Sequence, residues 1–283
     1  MTNLVNEKAY WRCPVCEEFL YKISRTWSCN NRHSFDCAKQ GYVNLLLANQ
    51  KNSKAPGDNI DMVAARRAFL SEGHYLPLAN RLAEMSLSHI RSNASENKAN
   101  VFDAGCGEGY YLQHIVKACQ RASMSVDAGG VDISKPAIQA AARRYKSIEF
   151  AVASSYTLPL MPDSQDLVIQ VFAPSNANEI ARVLRGDGKW ILVSPAAEHL
   201  SELKAMVYDT PSSHEVSTEV PVGFNSVERQ SLSFSVSLDT PESRQNLLMM
   251  TPFYWTISAD KKQKLLNELA LVTASFDIKV MQK

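Results

Sequence analysis

From residue 101 to residue 195, short apolar runs alternate with segments whose apolar residues recur at helical spacing, the pattern of a parallel sheet covered by helices. Val101-Phe102 leads through Asp103 into the turn Ala104-Gly-Cys-Gly-Glu-Gly109, and residues 110–122 then read as a helix. Val126 to Ile133 reads as a second strand with Asp132 at its tip. Ile148 to Ala153 is a third, followed by Ser154-Ser155 and Leu158-Pro159-Leu160. Asp163 to Asp166 opens a fourth strand, Leu167 to Phe172, and Arg182 to Trp190 precedes a fifth that ends near Ser194-Pro195. Upstream, Met62 to Leu70 has helical spacing, Gly73 breaks it, and a longer amphipathic helix runs to about Ile90. The polar stretch Asn49 to Asp61, which contains Lys51-Asn-Ser-Lys-Ala-Pro-Gly-Asp58, reads as a linker. The expected architecture is therefore a small N-terminal domain over 1–48, a linker over 49–61, and a doubly wound α/β domain over 62–283.

The turn after the first strand carries the first candidate chemistry. Gly105 and Gly107 let the backbone bend tightly and approach a ligand, and the helix from Tyr110 points its N-terminus at the same spot. Asp132, at the C-terminal tip of the second strand, can accept both ribose hydroxyls of an adenosine. A plain strand-to-helix turn is the alternative, and nicotinamide-binding folds also use glycine-rich ones. The whole order of elements favours a different match: Asp103-x-Gly-x-Gly-x-Gly109, Asp132, then Ser154 after the third strand resemble class I S-adenosylmethionine-dependent methyltransferases, which have a Rossmann-like sheet. The resemblance implies an S-adenosylmethionine site that includes Asp103, Gly105, Gly107, Asp132 and Ser154.

The N-terminal end carries a second signal: Cys13-Pro-Val-Cys16, twelve residues, Cys29, three residues, His33. Two knuckle-like turns that each supply a pair of ligands suit one tetrahedral zinc. A redox Cys-x-x-Cys would leave Cys29 and His33 unexplained. Cys37 is a substitute ligand for His33 or a small buried apolar residue, while Cys106 and Cys119 fall at packing positions. Four protein ligands fill the shell, so the zinc is expected to be structural.

Composition changes the picture only slightly. A chain of 283 residues can bury one large core and carry a small appended module. Met1 to Tyr10 is largely polar, with no signal-peptide core, and no apolar run is long enough to span a membrane, so a cytoplasmic protein is expected. The net charge is +1, but basic residues outnumber acidic ones through residue 75. They are interleaved with Trp11, Tyr21, Trp27 and Phe35, which suits phosphate contact and base stacking or, equally, a solvated surface over a small aromatic core. Arg66-Arg67 reads as a solvated helix face or as a contact for a phosphate backbone.

Cys13-Pro-x-Cys16, Arg32-His33-x-Phe35-Asp36, Gly41-Tyr-Val-Asn-Leu-Leu46, Pro56-Gly-Asp58, Ala65-Arg-Arg-Ala-Phe-Leu70, Gly73-His-Tyr75, the glycine turn, Ala173-Pro174 and Met250-Thr-Pro-Phe253 together resemble one family. It is the bacterial large-subunit (23S) ribosomal RNA (guanine-N1)-methyltransferases, which join a zinc module to a class I methyltransferase domain. The resemblance implies cofactor contacts from Tyr75, Gly107, Glu108, Asp132 and His199, and a zinc module that helps grip an RNA hairpin; the position of Arg66 and Arg67 beside the cleft adds them as expected RNA contacts. It leaves a homodimer open. Enzymes that methylate exocyclic amines usually present an Asp or Asn, two prolines and an aromatic residue at the end of this strand, whereas this chain has Val171-Phe-Ala-Pro-Ser175, so a ring nitrogen is the better expectation. The competing readings are a small-molecule methyltransferase and an inactive zinc-bearing RNA-binding protein. The zinc module argues against the first and the intact Asp103, Gly105, Gly107 and Asp132 set against the second.

Overall fold

A computed structural model describes residues 11–50, 56–93, 98–174, 176–208 and 219–283. Residues 51–55 of the expected linker, Ser175 and the polar N-terminal ten lie outside the described residues.

The N-terminal module begins as a three-stranded antiparallel sheet, β1 (Tyr21–Ile23), β2 (Thr26–Ser28) and β3 (Ser34–Asp36). The next strand, β4 (Val43–Asn44), belongs to the large sheet. Two helices follow, α1 (Ile60–Ser71) and α2 (Leu76–Asn93). Asn59 caps α1 by accepting from the Met62 N–H at 2.9 Å.

The α/β unit then alternates β5 (Lys98–Ala104), α3 (Tyr110–Arg121), β6 (Ser125–Asp132), α4 (Lys135–Arg144), β7 (Glu149–Val152), β8 (Gln165–Val171), α5 (Ala177–Val183) and β9 (Leu184–Pro195). The chain closes with α6 (Ser201–Val207), β10 (Asn225–Ser237), α7 (Pro241–Met249), α8 (Ala259–Glu268) and β11 (Leu271–Gln282).

The large sheet runs β10-β11-β9-β8-β5-β6-β7-β4. The strands from β4 to β9 are parallel, and β11 is antiparallel to both β9 and β10. Helices cover both faces, so β5 and β8 are almost continuously buried runs rather than alternating ones. Strand order reverses between β5 and β8, where ligands of doubly wound sheets bind beyond the carboxyl ends of the strands.

Two local expectations change. Arg185-Gly-Asp-Gly188, expected to precede the fifth strand, is already inside β9, which starts at Leu184 with a register shift opposite Gln165–Leu167. Gly188 makes this possible, because a Cβ there would sit 3.0 Å from the Gln165 carbonyl oxygen.

The two tryptophans of the N-terminal module are also not available to bases, whereas Tyr21 and Phe35 are half-buried. Trp11 and Trp27 are 1% and 3% exposed. Trp11 meets Phe102 edge to face at 5.8 Å and donates to Glu149 Oε2 at 3.0 Å. The module's core is thus continuous with the underside of the large sheet, through Leu20, Val43, Leu45, Leu158 and Leu160.

Candidate active site and metal centre

The turn after β5 is built by backbone hydrogen bonds that leave its outer face clear. The N–H groups of Gly105 and Cys106 both donate to the Val131 carbonyl at 2.9 and 2.8 Å, and Gly107 N–H donates to Asp132 Oδ2 at 2.9 Å. Gly105 has φ +99° and Gly107 φ +53°, the left-handed region. Space demands glycine at 105 as well, because a Cβ there would lie 2.3 Å from the Ala173 Cβ, in the loop after β8.

Asp132 Oδ1 accepts from Ser134 N–H at 2.7 Å, so each carboxylate oxygen holds one N–H and keeps a further lone pair. Burial pushes this carboxyl up, and the two N–H donors pull it back. Asp103 is buried with Oδ1 unpartnered, and burial, then the charge of Asp132, push it up.

These groups open into a cleft of about 300 Å³, large enough for a small ligand. Tyr75, Asp103, Gly105, Gly107, Glu108, Asp132 and Ser154 all line it. His199 is not on that wall. It stands behind Tyr75 and Phe172, at 6.4 and 6.2 Å between ring centroids, with Nδ1 accepting from Ser275 N–H at 3.2 Å.

Arg66 and Arg67 point into the same region. Arg66 lines the cleft in an ion pair with Asp58, and Arg67 Nε donates to Glu108 Oε2 at 2.5 Å. Glu108 is 3% exposed; burial pushes its carboxyl up and Arg67 pulls it down. Its Oε1 and Arg67 Nη2 are buried without partners. Buried polar atoms without partners beside a cleft are the observation expected of a wall that meets a polar ligand.

Sequence reasoning missed Asp58, Tyr111, Tyr156, Phe172 and Met250, which also line the cleft. The turn composition of Pro56-Gly57-Asp58 reads as linker. In the structure Gly57 packs on Ser134, where a Cβ would come within 2.9 Å, and Ser134 Oγ donates to the Asp58 carbonyl at 2.6 Å. Only the spacing to Asp132 and Ser134 in three dimensions exposes that role.

At the N-terminal end, ligand atoms of Cys13, Cys16, Cys29 and His33 lie within 4.8 Å of one another. Cys16 Sγ is 3.6 Å from Cys29 Sγ, which is 3.4 Å from His33 Nδ1. Thiolates about 2.3 Å from a tetrahedral zinc stand about 3.8 Å apart, so the donors fit the ion. Burial raises the Cys13 thiol to about 11, whereas the Glu18 backbone N–H brings Cys16 down to about 6. Cys37 is not in the cluster. It lies at the other end of the module, bridged to Val43, so it is not a substitute ligand.

The sheet order, the glycine turn and the acidic residue that ends β6 define a class I S-adenosylmethionine-dependent methyltransferase carrying a structural zinc module. A family profile described as RlmA, N-terminal, matches residues 11–54, and a methyltransferase domain profile matches residues 95–269. The 23S rRNA (guanine(748)-N(1))-methyltransferase of Streptomyces fradiae is 35% identical over 93% of this chain and 92% of its own. YxjB of Bacillus subtilis, which carries a provisional name for the same class of activity, is 30% identical over 96% and 95%. A relative from Micromonospora griseorubida is 38% identical over 68% of each chain. The chain belongs to the 23S rRNA (guanine-N1)-methyltransferase family, and its cofactors are S-adenosylmethionine and zinc.

The geometry at Asp132 makes one quantitative expectation. Asp132→Ala removes the carboxylate expected to accept the ribose hydroxyls and also the anchor of the Gly107 and Ser134 N–H groups. We expect S-adenosylmethionine affinity to fall about ten- to a hundredfold, the loss of charged hydrogen bonds in a partly buried site. Calorimetric titration of the folded variant checks this, and unchanged affinity would mean that the ribose is held elsewhere.

Proposed function

We propose that the protein methylates guanine N1 in an unpaired loop of 23S rRNA, gripping an RNA hairpin through its zinc module. The observation that carries the reading is the zinc module fused to the methyltransferase sheet. It fits the RNA-modifying relatives, in which a zinc module precedes the methyltransferase domain. N1 sits on the Watson–Crick edge, so the guanine must be unpaired and splayed from its neighbours before transfer. The cofactor's sulfonium supplies an activated methyl group when bound. The protein's own task is to align nitrogen, methyl and sulfur and to let the N1 proton depart.

In this reading residues 1–48 recognise RNA and 62–283 carry the chemistry. Tyr75, Gly107, Glu108 and Asp132 meet the cofactor, with Asp103, Gly105 and Ser154 shaping its bed and His199 bracing Tyr75. Arg32 and Lys39 are exposed on the module and suit phosphate contact. Arg66 and Arg67 stand at the cleft mouth already engaged by Asp58 and Glu108, so any RNA contact they make is secondary to holding the cofactor wall. A homodimer on one RNA is compatible with the reading. No helix among the described residues is long and apolar enough to cross a membrane, and a cytoplasmic location accords with a ribosomal substrate.

The test is nucleoside mass spectrometry of large-subunit RNA from cells without the protein, before and after complementation. Reverse transcription then locates the product, because a methyl on N1 blocks pairing and halts the enzyme. The result expected is loss and recovery of 1-methylguanine with a single matching stop; the Streptomyces fradiae relative is named for guanine 748. Unchanged 1-methylguanine overturns the substrate assignment and leaves the fold standing.

A further inference from the structure

We infer that Phe172 is the platform on which the target base stacks, a role that rests on the RNA guanine reading above. Phe172 follows β8 with φ +56°, a conformation that bulky residues rarely adopt and that survives where the surroundings over-determine it. Four contacts do so here. Phe172 N–H donates to the Val193 carbonyl at 3.1 Å, and the Gln170 side-chain amide donates to the Ala173 carbonyl at 2.5 Å. Ser155 Oγ donates to the Pro174 carbonyl at 2.8 Å, and Ala173 is seated against Gly105. The backbone is held in a strained form, and the result is an aromatic ring 43% exposed on the wall of the cleft.

Its place selects it over the cleft's other exposed ring, Tyr156. Asp132 ends β6 and Ser154 follows β7, so the ribose and adenine ends of the cofactor lie over those strands. The sulfonium end is left toward the adjoining pair β5 and β8, where Phe172 stands. Tyr156 comes just after Ser154, on the adenine side. Phe276 and His199 support the Phe172 ring from behind at 5.4 and 6.2 Å, and the exposed face remains free for a splayed-out base.

The experiment compares full-length zinc-loaded wild type with Phe172→Leu, Phe172→Tyr and Phe172→Trp. Single-turnover transfer of tritiated methyl to unmodified 23S rRNA is measured beside S-adenosylmethionine affinity by calorimetry and RNA affinity by filter binding. Leucine keeps apolar volume and loses the π face. It is expected to lower the transfer rate about 10- to 100-fold, the range that base–aromatic stacking supports. Both affinities should stay within about twofold, because phosphate contacts dominate RNA binding. Tyrosine and tryptophan should restore the rate. A leucine variant at wild-type rate, or one whose cofactor affinity falls in parallel, overturns the platform and leaves the parent reading intact. Absence of labelled 1-methylguanine with wild type overturns both.

Discussion

Gly105→Ala is expected to abolish cofactor binding at ordinary concentrations, a loss of at least about a hundredfold in affinity. The added methyl group would stand 2.3 Å from the Ala173 Cβ and cannot be accommodated without moving one of the two loops. Backbone strain at φ +99° costs about 1–2 kcal/mol on its own for a residue with a Cβ. The chain can relieve the overlap only by opening the β5 turn, which breaks the Val131 bonds, or by pushing out the β8 loop, which carries Phe172. Either escape disturbs the cofactor bed. Gly73→Ala is the control: φ is +86° but no atom lies within 4 Å of the added carbon, so it should lose stability by the strain alone and bind cofactor normally. Calorimetry on both variants separates close approach from strain. Equal binding by Gly105→Ala and wild type would refute this account of the loop.

The parts of the site legible in the sequence were those whose chemistry is local. Asp103 to Gly109 is a contiguous turn, and Asp132 follows from counting one helix and one strand onward. Cys13, Cys16, Cys29 and His33 declare a metal by spacing alone, because two short knuckles must each present a pair. What stayed hidden depends on contacts between residues far apart in the chain. Trp11 looked like a candidate for base stacking because its partner Glu149 is 138 residues away. Arg66-Arg67 looked like a free basic pair because the carboxylates that claim it, Asp58 and Glu108, lie in segments read as linker and as glycine turn. β4 is only two residues long, too short for any periodicity, and only its pairing with β7 reveals it as an edge strand. β10 carries a strand signal of its own, because Ser231, Ser233, Ser235 and Ser237 face outward between Leu232, Phe234 and Val236 at a period of two. Its role as the sheet's edge comes from the long antiparallel pairing with β11.

Removal of zinc is expected to destabilise the β4–β7 edge of the catalytic sheet and not the N-terminal module alone. Zinc-binding free energy in small modules is folding free energy, about 10–16 kcal/mol in isolated fingers at neutral pH. Here the ligand-bearing turns share a core with the sheet. Cys13 is buried beside Trp11 and Leu20, the Arg12 N–H donates to the Pro159 carbonyl at 2.9 Å, and β4 completes the sheet edge by pairing with β7. Without the metal, Cys13 keeps its proton in a buried site, and nothing draws Cys16, Cys29 and His33 together. Cys16→Ser should therefore lose the single zinc by elemental analysis and lower the main thermal transition by more than about 5 °C, a shift that about 2 kcal/mol produces in a chain of this size. Hydrogen exchange should quicken in β4 and β7 together with residues 11–37, while β8, β9 and β11, on the far side of the sheet, stay protected. A variant without zinc whose main transition is unmoved, with loosening confined to the first 48 residues, would show that the module is an appendage and that the shared core contributes little.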